Sequence, residues 1–309
     1  MASAVPTLAR TAALTALAML AFAANSLLCR MALQPGLIDP ASFGSVRLAS
    51  GAIVLAAIVR LRATPAAASH GDWAAASMLF AYVAFFSFAY LSLSAGTGAL
   101  ILFGAVQLTM LVAGLRAGED FGLMARVGLS LAVAGLVYLV LPGLSAPPLL
   151  GAALMAAAGV AWGLYSLHGR GVTDPLAATA GNFLRAVPMA LALSALAMLA
   201  AQAAHATTGG VALAVLSGAI TSGLGYVIWY AALRGLNATR AAVVQLSVPP
   251  IAAVGGTLLL GEGISLRLAL ASAAILGGIA LVLTSRAKRM RAAPSPTGPA
   301  RKIRDSKAP

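Results

Sequence analysis

Charge is scarce in this sequence. Asp, Glu, Lys and Arg make up 9% of its 309 residues, and only 7 side chains are acidic. A soluble domain carries roughly 25% charged residues on its surface, so a water-soluble enzyme is excluded. Cysteine is scarcer still: Cys29 is the only thiol, which rules out an intramolecular disulfide and any Cys-rich metal cluster. His70, His168 and His205 all fall in loops or at the ends of apolar runs, and no carboxylate sits in the middle of one. No metal site or buried-carboxylate proton or sodium relay is therefore expected. No phosphate-cradling Gly-Lys-Ser/Thr motif and no nucleophile–base pair is present either, so neither ATP drive nor catalysis is expected. The reading is of a chain that is not an enzyme and needs no cofactor.

What the sequence has in abundance is apolar length. Hydrophobic residues make up 61% and mean hydropathy is +0.96. A helix needs about 20 mostly apolar residues to cross a hydrocarbon core. Ten such runs occur, at Thr11–Met31, Ala41–Val59, Trp73–Leu93, Thr97–Leu115, Phe121–Leu141, Leu149–Leu167, Leu176–Ala200, Val211–Leu233, Ala238–Leu260 and Leu266–Ser285. They do not alternate apolar with polar, so a membrane β-barrel is excluded. Arg10, the run after it and Ala21-Phe22-Ala23 also fit a cleaved secretory signal. The run continues through Leu27, Leu28 and Met31, which favours an intact first span.

The net charge of +13 requires no nucleic-acid partner once the basic residues are placed. With a cytoplasmic N-terminus and ten crossings, Arg10, Arg60, Arg62, Arg116, Arg126, Arg170, Arg234, Arg240 and the basic tail fall inside. Only Arg30 and Arg267 fall outside. The positive-inside rule thus predicts an inner-membrane, multi-pass protein with both termini in the cytoplasm. The tail, 286–309, lacks apolar periodicity and reads as a disordered basic segment suited to anionic lipid.

The chain also resembles itself. Gln107–Glu119 and Pro250–Glu262 both end in Gly-Glu, and Phe22-Ala23-Ala24-Asn25-Ser26-Leu27 aligns with Trp162-Gly163-Leu164-Tyr165-Ser166-Leu167. Arg30 then matches Arg170, Asp39-Pro40 matches Asp174-Pro175, and the in-span arginines Arg47 and Arg185 follow in the same order. Five helices per copy place the second copy upside down. The expected fold is therefore an all-α integral membrane protein, its ten transmembrane helices forming two inverted five-helix repeats around a central cavity. Residues 1–10 form the cytoplasmic N-terminus, 11–145 the first repeat and 146–285 the second.

The helix ending in Gly-Glu after small residues or proline, with a Trp-Gly-type helix elsewhere in each copy, resembles the EamA-type transporters of the drug/metabolite transporter superfamily. Asn237–Glu262 with Pro249-Pro250 is the better match; Val106-Gln107 and Phe22-Ala23 replace the prolines and Trp-Gly in the first copy. The resemblance implies ten helices, a central cavity and export or exchange of small metabolites. Some branches, the YddG-like exporters among them, move amino acids. A non-transporting membrane scaffold or assembly partner is the alternative. Monomer and homodimer both remain open.

Polar and aromatic side chains inside lipid mark the candidate site. Tyr82, Phe86 and Tyr90 share one face of the third helix, and Tyr226 and Tyr230 one face of the eighth, with Trp229 beside them. Trp162 and Tyr165 lie on the sixth helix, Asn25 on the first, and Gln107 and Gln245 on the fourth and ninth. These are expected to line one cavity, aromatic faces taking an apolar or cationic part of the solute and amides its polar ends. Packing and interface anchoring are the competing roles. Arg47 and Arg185 have no acidic residue in their spans: either they hold a substrate carboxylate or phosphate, or they bond backbone or lipid. Glu119 and Glu262 read as caps or partners for nearby amides and basic side chains. Pro249 and Pro250 remove two backbone donors and can form a hinge.

Overall fold

A computed structural model describes residues 7–62, 71–118, 122–143, 145–200, 205–236 and 238–292. Glu119 and the tail beyond Ala292 lie outside the described residues. The described chain is helical throughout, with α1 (Leu8–Leu33), α2 (Pro40–Arg60), α3 (Trp73–Ala89), α4 (Ala95–Arg116), α5 (Leu123–Val140), α6 (Leu149–His168) and α7 (Pro175–Leu199) as single helices. The eighth span is α8 (Thr208–Val215), a π-helical segment (Leu216–Leu224) and α9 (Gly225–Leu233) in continuous succession. The ninth is divided into α10 (Ala238–Gln245) and α11 (Val248–Leu260), and the tenth is α12 (Leu266–Ala292). Nine of these spans are long and apolar enough to cross a bilayer among the described residues, and α3 is a shorter apolar helix. Every span carries exposed large apolar side chains, from Leu17 and Leu20 on α1 to Leu270 on α12. A chain with that surface is a multi-pass membrane protein.

Local chemistry explains the ends of the helices. Asp39 and Asp174 each accept a backbone N–H at N3, from Ser42 and Ala177, with proline in the first turn. This pairing of acidic cap and N1 proline satisfies one orphan donor and removes another. Asp72 caps α3 through Ala75 N–H and Ser94 caps α4 through Thr97 N–H. The third span is therefore shorter than its apolar run, because the turn through Tyr90–Leu93 serves the Ser94 cap. In the ninth span the helix is interrupted at Leu246–Ser247, and Pro249 and Pro250 open the first turn of α11, where a missing N–H costs least. At the far end α12 continues to Ala292, beyond the apolar stretch that ends at Ser285.

Two long contacts frame the bundle: α5 packs on α12 and α2 on α7. Between them α6 packs on α3 and α4, while α1 packs on α9 and α11. α4 meets α11, α3 meets α7, and α2 meets the π segment. Small residues set these approaches. A Cβ added at Gly159 of α6 would lie 2.6 Å from Ala105 Cβ and 2.6 Å from the Leu102 carbonyl of α4. Cys29 is fully buried, so this thiol reports packing and not which face of the membrane the end of α1 reaches.

Candidate functional site

The helix ends define a mouth and a seal at opposite ends of the bundle. α3 begins at the mouth with Asp72 and finishes at the seal with Tyr90. At the seal, Arg30 at the end of α1 reaches Glu262 beyond α11, Nε to Oε1 at 3.0 Å. Arg30 Nη1 also donates to the Tyr90 carbonyl at 3.0 Å, and Ala95 N–H donates to Glu262 Oε2 at 2.8 Å. One ion pair thus joins α1, α3, α4 and α11. The α1–α2 and α7–α8 connections meet at the same end: Asp39 N–H donates to the His205 carbonyl at 3.0 Å and Thr207 N–H to the Leu37 carbonyl at 2.8 Å.

From the mouth a chamber of about 500 Å³ runs into the bundle. Its rim carries Asp72, His168 and Arg170, and its wall Tyr165, Thr179, Asn182, Trp229 and Tyr230. The wall is hydrogen-bonded as a unit. Asn182 accepts from Asp72 N–H at 2.9 Å and donates to the Tyr165 hydroxyl at 3.3 Å, and the Thr179 and Tyr230 hydroxyls are 2.8 Å apart. At the rim His168 Nε2 lies 3.0 Å from Asp72 Oδ2, and Arg62 binds both carboxylate oxygens of Asp174 at 3.0–3.1 Å. The Asp72 carboxyl is held below its ordinary value chiefly by the Ala75 N–H, against slight burial and with help from His168. For Asp174 burial raises the value most, but the Ala177 N–H and Arg62 together outweigh it and the net direction is down.

The chamber ends against an aromatic partition. Trp162 stacks on Tyr165 at 5.3 Å and on Tyr226 at 5.5 Å between ring centroids, and meets Tyr82 at 4.9 Å. Trp162, Tyr226 and Gln245 line both the chamber and a second, inner pocket of about 30 Å³, room for about two water molecules. Asn25, Arg47, Tyr82, Phe86, Thr221 and Ser222 complete much of the inner wall. Arg47 is 1% exposed. Its Nη2 donates to the Tyr82 hydroxyl at 3.0 Å and its Nε to Ser222 Oγ at 3.3 Å, and its guanidinium lies 5.2 Å and 5.0 Å from the ring centres of Tyr82 and Phe86. Nη1 is buried with no hydrogen-bond partner among the described residues. Asn25 Nδ2 donates to Tyr82 at 3.5 Å, and its Oδ1 accepts from Ser217 Oγ at 2.6 Å, with Thr221 Oγ1 at 3.2 Å.

Of the residues singled out in the sequence, Asn25, Arg47, Tyr82, Phe86, Trp162, Tyr165, Tyr226, Trp229, Tyr230 and Gln245 are brought to these two spaces. Tyr90 lies under the seal, donating to the Ala95 carbonyl and packed on Phe86 at 4.8 Å. Gln107 is buried outside both linings, and its Nε2 has no partner among the described residues. Arg185 lines neither space; its Nη1 donates to the Gly181 carbonyl one turn back at 3.1 Å. Thr179, Asn182, Ser217, Thr221 and Ser222 complete the polar network, as does Arg30 the seal. Their sequence signal is helical spacing within apolar spans: Thr179 to Asn182 is one turn, as is Ser217 to Thr221. The π segment turns Ser217, Thr221 and Ser222 toward α1 and α2, a placement that such local insertions often give functional side chains.

The chain is similar to known proteins. Residues 149–284 match the EamA-like transporter family. The "Uncharacterized protein PA1977" of Pseudomonas aeruginosa is 57% identical over 91% of this chain and 96% of its own length. A protein crystal structure, 19% identical, superposes with a TM-score of 0.63 over 92% of this chain and 100% of that one, a likeness of fold. Ten apolar spans, the matched second half and the relative spanning nearly the whole length establish that the chain belongs to the EamA-like transporter family of the drug/metabolite transporter superfamily.

Proposed function

We propose that this protein moves small organic metabolites, amino acids first among them, across the inner membrane by alternating access, in the manner of the YddG-like exporters. The observation that carries the reading is a chamber of about 500 Å³, open at one end of the bundle and closed at the other by Arg30 and Glu262. That volume suits a small organic solute. A scaffold or assembly partner has no use for a polar, aromatic chamber buried in lipid, where each polar group costs stability.

The inverted five-helix repeat is part of the proposal, and the contacts between spans support it. Exchanging the halves turns the α3–α6 contact into that of α9 with α1, α4–α6 into α11–α1, and α3–α7 into the π segment on α2, all of which are present. Contacts α2–α7, α5–α12 and α4–α11 map onto themselves. With both termini in the cytoplasm, the mouth faces the cytoplasm beside Arg60, Arg62, Arg170 and Arg234, and the seal faces outward. Rocking of the halves would open the seal and close the mouth, giving export or facilitated exchange.

Counterflow in proteoliposomes tests this. Vesicles loaded with an unlabelled solute are diluted into a labelled one, across a panel of amino acids, sugars and nucleobases. The proposal expects transient accumulation of at least one labelled amino acid above protein-free vesicles. Folded, reconstituted protein that exchanges no member of the panel would overturn it.

A further inference from the structure

The inner pocket holds a charge that nothing in it balances. Arg47 is the only charged residue in its lining. Its partners are neutral, two hydroxyl oxygens and two ring faces, and one of its N–H-bearing nitrogens has no partner among the described residues. An isolated cation in a low-dielectric interior is costly, and the cost falls when an anion binds it through hydrogen bonds. The surroundings are arranged for an acceptor. The Tyr82 hydroxyl accepts from both Arg47 Nη2 and Asn25 Nδ2, which leaves its own proton to donate. Asn25 Oδ1 is taken up by the Ser217 hydroxyl at 2.6 Å, with the Thr221 hydroxyl beside it. The lining therefore holds a guanidinium nitrogen and a hydroxyl proton without acceptors among the described residues, and no carboxylate to receive a cation.

Access sets the route. The inner pocket of about 30 Å³ cannot hold an organic acid as it stands, whereas the chamber next to it can. The two are separated by Trp162 and Tyr226, stacked face to face, with Gln245 bordering both. A flat apolar body can replace the face of either ring as the stack parts.

We propose that Arg47 docks the carboxylate of an organic monocarboxylate whose apolar body lies in the chamber, its head passing between Trp162 and Tyr226. The proposal rests on the transporter reading and names the chemistry of its solute. One guanidinium matches one carboxylate. A second carboxylate would enter a pocket with no second cation, and a neutral amide would leave Arg47 unbalanced. The solute is thus selected for a single carboxylate at its Arg47 end.

Equilibrium dialysis of the purified full chain in detergent tests this with three matched probes: 3-phenylpropionate, its neutral amide 3-phenylpropionamide, and the dianion benzylmalonate. The acid is expected to bind at least about ten-fold more tightly than either relative. Arg47→Gln should bring the acid down to the level of the amide and leave the amide unchanged. Arg47→Lys, which keeps the charge but loses the planar fork, should fall between. Arg185→Gln, outside both linings, should leave acid binding within about two-fold. Equal binding of acid and amide by the wild-type chain, or equal loss of both in Arg47→Gln, overturns the proposal. If the Arg47 variants elute as aggregates, the wild-type comparison decides alone. Binding of none of the three probes by a chain that still shows counterflow of another solute sinks the monocarboxylate inference and leaves the transporter reading intact. Preferred binding of the acid by a chain that transports nothing does the reverse.

Discussion

Glu262→Gln should open the seal. In the structure Glu262 accepts from Arg30 Nε through one oxygen and from Ala95 N–H through the other, and both charged side chains are 15% exposed. The amide keeps one acceptor, loses the charge and turns an N–H₂ group toward one of its former donors. A hydrogen bond to a charged group contributes about 1.5–3 kcal/mol, and partial exposure moves the estimate toward the lower end. A loss of about 1.5–3 kcal/mol shifts the ratio of sealed to unsealed molecules about ten- to a hundred-fold. Ser26, which lines the inner pocket and is 1% exposed, gives the readout. A Ser26→Cys variant is made in a Cys29→Ala background and labelled with a membrane-impermeant thiol reagent from the face that carries the α3–α4 turn. The initial rate should rise at least about ten-fold on adding Glu262→Gln. Arg30→Gln should act alike, and the double variant should exceed neither single by much, because both remove one interaction. An unchanged rate in folded protein would refute the idea that this ion pair holds its end of the bundle closed.

The rim should respond to acid. Asp72 and Asp174 both have folded-state values below the ordinary carboxylate value, so their stabilisation is complete above about pH 4 and is lost as pH falls through the lowered values. Thermal unfolding in detergent should show a melting temperature that declines into that range. The decline should flatten in the Asp72→Asn/Asp174→Asn variant, in which the helix caps survive; an equally steep decline would place the acid sensitivity elsewhere. Gly159→Ala should lower stability by about 1–3 kcal/mol by pushing α6 off α4, read as a fall in melting temperature; an unchanged melting temperature would mean that the α4–α6 contact yields freely.

The apolar spans were legible because each is a long apolar run and lipid leaves the backbone few alternatives, whereas the π segment in the eighth and the break in the ninth were not. Asp39-Pro40 and Asp174-Pro175, matched in the repeat, carry the acid-then-proline sign of a helix start. The break before Pro249 is ambiguous in sequence, since proline marks both a hinge inside a helix and the first turn of a new one. Asn25, Arg47, Tyr82, Trp162 and Gln245 stood out as polar or aromatic residues in apolar surroundings. Ser217, Thr221 and Ser222 did not, because serine and threonine in apolar helices commonly bond their own backbone, as Thr221 also does to the Ser217 carbonyl. The π segment that aims them follows from packing, with Gly218 pressed on the backbone of Arg47, and no local pattern encodes it. Arg185 and Arg47 look equivalent in the repeat and differ in three dimensions: one turns back to Gly181, the other into the inner pocket. The pairing of Arg30 with Glu262 joins the two halves, beyond the reach of any short-range spacing rule.

The most direct test joins the seal to the flux. An Arg30→Cys/Glu262→Cys variant in the Cys29→Ala background, cross-linked by a bifunctional thiol reagent with a reducible spacer, holds that end shut. Alternating access predicts that cross-linking abolishes counterflow of a solute the uncross-linked variant exchanges, and that reducing the spacer restores it. Full exchange with the cross-link in place would contradict the account.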